Sequence, residues 1–167
     1  MKRLYLLRHA KSSWKSQVGG DHERPLAPRG VAATERLTSY LHAQGATPNV
    51  VLCSSARRTR ETLEGIADGL GGEPTVTIDS ELYGASAEQL LDRIQQLPGD
   101  VESAMVIGHN PGLYELAIQL AGEHAGSWLE AFPAGTMVTF DVNTGAWADL
   151  CEDCCVLEDY VAPRELV

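Results

Sequence analysis

Arg8 and His9 stand together at the end of an apolar run, Leu4-Tyr5-Leu6-Leu7, and His109 follows a second such run, Ala104-Met105-Val106-Ile107-Gly108. A guanidinium beside one imidazole, with another imidazole at a second strand end, suits a phosphoryl group. Phosphoryl transfer needs a nucleophile in line with the leaving group and positive charge on the equatorial oxygens. An imidazole is mostly neutral near pH 7 and attacks phosphorus through its free nitrogen, so His9 is the expected nucleophile. Arg8 offers bidentate donors to phosphate oxygens. A third contribution comes from Ser54-Ser55-Ala56-Arg57-Arg58-Thr59-Arg60-Glu61-Thr62. Here Arg58 sits near the start of an expected helix, where the dipole also favours an anion. His109, once protonated by the bound phosphate, would donate a further charged hydrogen bond. The backbone N–H of Asn110, expected to head the next helix, would add another donor.

A lone histidine at a strand end is ordinarily a loop residue, and a lone helical arginine is ordinarily solvated. It is the convergence of several such groups that makes a site. No H-x-H or H-E-x-x-H pattern occurs and no aspartate stands at the end of the first, second or fourth strand, so neither a metal nor a cofactor is expected. His42 reads as helix surface and His124 as loop, while His22 faces the expected site from the first loop with its role open. Cys53 ends an apolar strand and is expected to be a buried thiol. Cys151-Glu152-Asp153-Cys154 is formally a C-x-x-C. It lies among acids near the C-terminus, with no strand-to-helix context for a redox motif and no second ligand pair for zinc. A reduced, cytoplasmic protein is the simpler expectation.

Strand and helix patterns alternate. Strands are expected over 2–7, 50–53, 75–78 and 103–107. Helices are expected from Pro28 to about Ala43, over 56–68, from a Ser86 N-cap with Gln89 as its capping-box partner to about Gln96, and from Pro111 to Ala121. Residues 136–142 and 146–150 flank Asn143-Thr144-Gly145 and read as a hairpin. Such a series predicts a three-layer α/β fold with a mainly parallel sheet and helices on both faces, as one domain over 1–167. In these sheets ligands bind beyond the carboxyl ends of the strands. The first, second and fourth strands would deliver Arg8-His9, Ser54 and His109 to that edge.

No apolar run approaches the roughly 20 residues that span a bilayer, and the apolar stretch after Lys2-Arg3 is too short for a signal peptide. The net charge of −10 hides an asymmetry: residues 1–60 hold 11 Lys/Arg and 3 Asp/Glu, whereas 61–167 hold 2 Lys/Arg and 20 Asp/Glu. The basic residues are interspersed with apolar ones rather than blocked together. That pattern speaks against a nucleic-acid arm and for cations gathered around one anion site. Phe132, Trp128 and the tail from Val156 to Val167 are expected to pack on the core, the alternative being a second subunit.

With these motifs in hand, the chain resembles the histidine phosphatase superfamily, of phosphoglycerate-mutase-like fold, and within it the small phosphohistidine phosphatases of the SixA type. The superfamily's R-H-G box appears as Arg8-His9-Ala10, its S-x-x-x-R-x-x-x-T box as Ser54, Arg58 and Thr62, and its second-histidine box as Gly108-His109-Asn110-Pro111-Gly112. Further matches are Ala10-Lys11-Ser12-Ser13-Trp14, Arg24-Pro25-Leu26 with Arg29-Gly30, and Leu82-Tyr83-Gly84. The resemblance implies His9 as the phosphorylated residue and Arg8, Arg58 and His109 as the phosphate pocket. It leaves Lys11, Ser12, Ser13 and Arg57 as candidates to line the pocket or face the substrate.

Larger members of the superfamily carry a glutamate proton donor in an insertion over the site. This chain has no room for a sizeable lid. Glu81 lies in roughly the matching segment, as general acid or as a solvated turn carboxylate, with Asp21 and Glu23 as weaker candidates. An alkyl phosphate must expel an alkoxide and wants such an acid. A phosphohistidine can be protonated on its other ring nitrogen and leave as neutral imidazole. The expected substrate is therefore a phosphohistidine on a protein, and the alternatives are a small-molecule phosphate ester or a non-catalytic phosphate-binding adaptor.

Overall fold

The computed structural model describes residues 1–15, 19–124 and 129–166. Its centre is one six-stranded sheet, built from β1 (Lys2–Arg8), β2 (Val50–Ser54), β3 (Thr75–Asp79), β4 (Ser103–Gly108), β5 (Met137–Val142) and β6 (Cys155–Val161). In space the strands run β3-β2-β4-β1-β5-β6. The first four in that row are mutually parallel, β5 is antiparallel to β1, and β6 is antiparallel to β5 at the sheet edge.

The unbroken apolar runs of β1, β2 and β4 follow from burial on both faces, since a strand between two helical layers has no polar side. Leu4, Leu6, Leu52, Ala104 and Val106 point into one core with Leu90, Ile94, Leu113, Leu116 and Leu120. Those partners belong to α3 (Ala87–Gln95) and α4 (Gly112–Ala121). Tyr5, Leu7, Val51, Cys53, Met105 and Ile107 point into the other core, against Leu37, Leu41 and Ile66 of α1 (Pro28–Gln44) and α2 (Arg57–Ile66). Truncating a fully buried Leu6 or Leu52 to Ala would cost about 2–5 kcal/mol in lost transfer energy and cavity.

The helix termini obey local chemistry. Pro28 opens α1 and Gly45 closes it at φ 67°, a left-handed turn that glycine adopts without strain. Ser86 and Gln89 form the expected capping box on α3. Gly30 serves contact rather than conformation: a Cβ there would lie 2.1 Å from the Lys11 carbonyl oxygen, so α1 rests directly on the loop after β1.

The C-terminal hairpin is a correction. Residues 146–150 are not a strand; Trp147–Asp149 form a 3-10 turn that drives Trp147 fully into the core, its indole N–H donating to the Val101 carbonyl at 2.7 Å. The strand that pairs with β5 is β6, with Met137 opposite Val161 and Val142 opposite Cys155. The tail thus joins the sheet, and Phe132 is buried in the first core. Trp128 and Val167 lie outside the described residues. Helix ends also move slightly: α4 begins at Gly112, and α2 ends at Ile66 before a 3-10 turn over Ala67–Gly69. Among the described residues no helix is long and apolar enough to cross a membrane.

Candidate active site

Parallel register brings the strand ends level. Arg8 pairs with Gly108 across β1 and β4, and Cys53 with Ile107 across β2 and β4. One residue further, the His9 N–H donates to the Gly108 carbonyl at 3.1 Å. The His9 and His109 rings then face each other with centroids 5.3 Å apart.

His9 is 6% exposed, and its Nδ1 lies 2.7 Å from the Ala10 carbonyl oxygen. A carbonyl only accepts, so Nδ1 carries the proton and Nε2 keeps the lone pair. Burial pushes the His9 pKa down to about 3; the Ala10 carbonyl opposes this, while His109, Arg58 and Arg8 add to it. The ring is therefore neutral at physiological pH, in one tautomer, with the free nitrogen of a nucleophile. His109 is lowered to about 4, chiefly by burial and then by Arg58, with Asp21 opposing. Its Nε2 is held by the Ser54 hydroxyl at 2.7 Å, and its Nδ1 is buried with no partner among the described residues.

The nine-residue box from Ser54 to Thr62 now has a physical reading. Ser54, at the end of β2, orients His109. Arg58 is the second residue of α2 and is 6% exposed. Thr62, one turn further, accepts the Ala10 N–H at 3.0 Å and donates to the Arg58 carbonyl at 2.7 Å, tying the loop after His9 to the helix that carries the arginine.

The two arginines are held differently. Arg58 donates Nη1 to the Asp21 backbone carbonyl at 2.9 Å and Nη2 to the Asp21 carboxylate at 3.2 Å. Arg8 donates Nη1 to the Phe132 carbonyl at 3.1 Å. The Nε of each is buried and unpartnered among the described residues, as is Asn110 Oδ1. Unsatisfied buried donors beside a neutral nucleophile are what an absent oxyanion would engage.

Asp21 and Tyr83 are the residues whose placement the motifs did not foretell. The Tyr83 hydroxyl donates to the Asp21 carboxylate, and its ring stands edge-on to His109 at 5.5 Å and to His22 at 5.0 Å. That hydrogen bond, with those from Arg24 and Arg58, lowers the Asp21 pKa to about 2. Asp21 is thus an ionised anchor rather than a proton donor. His22 bonds Ser55 Oγ and Glu23, each at 2.9 Å. Leu82-Tyr83-Gly84 was legible as a matching segment, but an aromatic side chain alone gave no sign of its carboxylate partner.

The remaining candidates disperse. The Asn110 side chain donates to the Phe132 carbonyl at 2.9 Å, beside Arg8, and because α4 starts at Gly112 its backbone does not head the helix. The Ser12 hydroxyl accepts from Arg24 and the Ser13 hydroxyl accepts from the Lys15 N–H, so both build the loop. Arg57 is ion-paired with Glu61 at 3.0 Å. Lys11 is exposed and borders a cavity that Arg8 shares. Glu81 is exposed and lines a different cavity with Tyr83, Gln89 and Arg93; its carboxylate makes no hydrogen bond or ion pair among the described residues. The four cysteines are free, with Cys53 buried as expected and its pKa pushed up to about 12 by burial. Among the described residues no three His, Cys, Asp or Glu side chains gather as a metal would need.

Known proteins resemble this chain over most of its length. An uncharacterized protein of Mycobacterium tuberculosis is 33% identical over 164 residues, covering 95% of this chain and 100% of its own length. The inferred phosphohistidine phosphatase SixA of Nakamurella multipartitia superposes with a TM-score of 0.86 at 32% identity, over 97% of this chain and 96% of its own. Its counterpart from Agrobacterium tumefaciens, under the same inferred name, gives 0.83 at 28% identity, over 97% and 98%. The family model described as histidine phosphatase superfamily (branch 1) matches residues 4–105, the stretch from β1 into β4 that holds His9 and Arg58. On its strand ends, its paired histidines and these likenesses together, the chain belongs to the histidine phosphatase superfamily.

Proposed function

We propose that this protein is a metal-independent phosphatase that passes through a phospho-His9 intermediate and acts on phosphohistidine carried by a protein. The observation that carries the reading is the 2.7 Å contact between His9 Nδ1 and the Ala10 carbonyl, which presents Nε2 as the nucleophile. The solved structures with inferred SixA names support the substrate class.

In the first step Nε2 of His9 attacks phosphorus as the P–N bond breaks to a substrate ring that enters protonated on its other nitrogen, and that ring leaves as neutral imidazole. The Nε2-phosphorylated His9 ring keeps its Nδ1 proton and becomes cationic. Its hydrogen bond to Ala10 then turns charge-assisted, so it strengthens as the bond to phosphorus forms. Arg8, Arg58 and His109 hold the equatorial oxygens. Water then attacks phospho-His9, restoring neutral His9 and releasing dihydrogen phosphate, which loses a proton to solvent. Neither step requires an external acid. That fits a site in which Asp21 is ionised and anchored and Glu81 lines a different cavity.

The test is a comparison in EDTA of a phosphohistidine peptide with a panel of alkyl phosphates, using His9→Ala as control. The expected result is preference for the phosphohistidine, an acid-labile phosphoryl label on the wild type, and a loss of at least ~10³-fold in His9→Ala. Faster turnover of an alkyl phosphate, cut selectively by Glu81→Gln, would overturn the substrate in favour of a phosphomonoesterase. Phosphate binding without a label on His9 would mark an adaptor.

A further inference from the structure

We propose that the cavity beside Arg8 seats an acidic stretch of polypeptide flanking the phosphorylated histidine. This rests on the phosphatase reading above and deepens it, by naming what surrounds the substrate's phosphoryl group.

The argument starts from how the cations are partnered. Arg3, Arg24, Arg57, Arg58, Arg60 and Arg93 each pair with a carboxylate, as does Lys2. Among the described residues the cations without such a partner are Lys15 and five that line a single cavity of about 590 Å³: Arg8, Lys11, Arg29, Arg36 and Arg164. Among the described residues no acidic side chain lines that cavity. In a chain of net charge −10, with 23 Asp and Glu, leaving these cations unneutralised side by side is a distribution that calls for an external anion.

The fold builds this arrangement deliberately. The close approach of Gly30 to the Lys11 carbonyl brings the start of α1 against the loop after β1, so Arg29 and Lys11 border the same space. Arg29 and Arg36 are seven residues apart on α1, two turns and about 10 Å along its axis. Between them the cavity wall is formed by Ala32 and Ala33. Small side chains there leave a floor without bulk.

The span selects the occupant. Arg29 and Arg36 leave α1 about 10 Å apart, and an extended chain, advancing about 3.3 Å per residue, covers that distance in three or so. Arg8 borders both the histidine pair and the groove, so a chain whose phosphohistidine lies over His9 would continue along the cations. Carboxylates on that chain meet exposed guanidinium groups, which steer encounter and rank substrates rather than supply most of the affinity.

The experiment has two arms. The first compares two phosphohistidine peptides that differ only in carrying Glu and Asp, or Gln and Asn, next to the phosphorylated residue. Wild type should show a kcat/KM about 10-fold higher for the acidic peptide at low ionic strength, with the advantage shrinking as salt screens the charges. In Arg29→Gln/Arg36→Gln that ratio should fall to about one. The second arm needs no turnover: an unphosphorylated, fluorescently labelled acidic peptide is titrated into wild type and into the double variant, with thermal melts confirming that both are folded. It should bind the wild type and lose that binding in the variant. A ratio near one in wild type, a ratio that survives in the variant, or a small bisphosphorylated metabolite that depends on Arg29 and Arg36 more than the acidic peptide does would overturn the proposal. Should no phosphohistidine peptide be turned over while the acidic peptide still binds through Arg29 and Arg36, the catalytic reading falls and the groove stands. Turnover without either preference or binding leaves the reverse.

Discussion

Arg58 and Arg8 flank the same pair of histidines yet live in opposite surroundings. Arg58 is gripped at two nitrogens by Asp21, which in turn receives Tyr83 and Arg24. Arg8 has one carbonyl partner and looks onto a space bordered by four further cations. One side of the phosphoryl seat is rigid and largely neutralised from within. The other keeps its charge for what arrives. The difference teaches that a single site can divide aim from attraction: the fixed arginine supplies preorganised geometry, and the unneutralised one supplies field.

The sharpest way to break this comparison is a pair of lysine swaps. Arg58→Lys keeps a charge but cannot reproduce the two-point hold on Asp21, so kcat/KM should fall by ~100-fold or more. Arg8→Lys should lose several-fold less. Steady-state kinetics on one substrate decides it, and a larger loss at Arg8 would erase the asymmetry.

Between the arginines, the buried histidines leave a signature in stability. An unfolded histidine takes up its proton near pH 6.5, whereas folded His9 resists until about pH 3. Through that window the unfolded state binds more protons, so stability falls as pH drops from 7 toward 4. By pH 5 the contribution from His9 is roughly 2 kcal/mol. Denaturant unfolding at pH 7.5 and 5 should show the wild type losing about that much more than His9→Asn. Equal losses would mean that His9 is not held neutral by the fold.

The smallest expected effect comes from Asp21→Asn. It keeps the shape of the anchor and removes its charge, returning Arg58's charge to the substrate. Inhibition by orthophosphate should tighten by about 3–10-fold. Weaker inhibition would show that the carboxylate serves Arg58 by position alone.

The site's skeleton was legible because its carriers are strand ends, and buried parallel strands announce themselves as apolar runs. β1, β2 and β4 put Arg8, His9, Ser54 and His109 where alternating strands and helices required. Fold class followed from the same alternation. The last strand was not legible: β6 carries Glu158 and Asp159 at the sheet edge, so its pattern reads as polar, while the apolar Trp147 that suggested a strand is a core plug on a 3-10 turn. The anchoring role of Asp21 and Tyr83 was equally hidden. Their contact joins residues 62 positions apart through side-chain tips, and no spacing rule reports such a meeting. For Ser12 and Ser13, proximity in sequence to His9 said nothing of the loop bonds that their hydroxyls accept.

Thr62 holds the Ala10 N–H with one lone pair and the Arg58 carbonyl with its proton. The loop behind His9 and the helix that carries Arg58 therefore meet on one side chain. A displacement of α2 would pull on the loop behind His9 through these two bonds. Thr62, fully buried, thus couples the placement of His9 to that of Arg58 from behind the site.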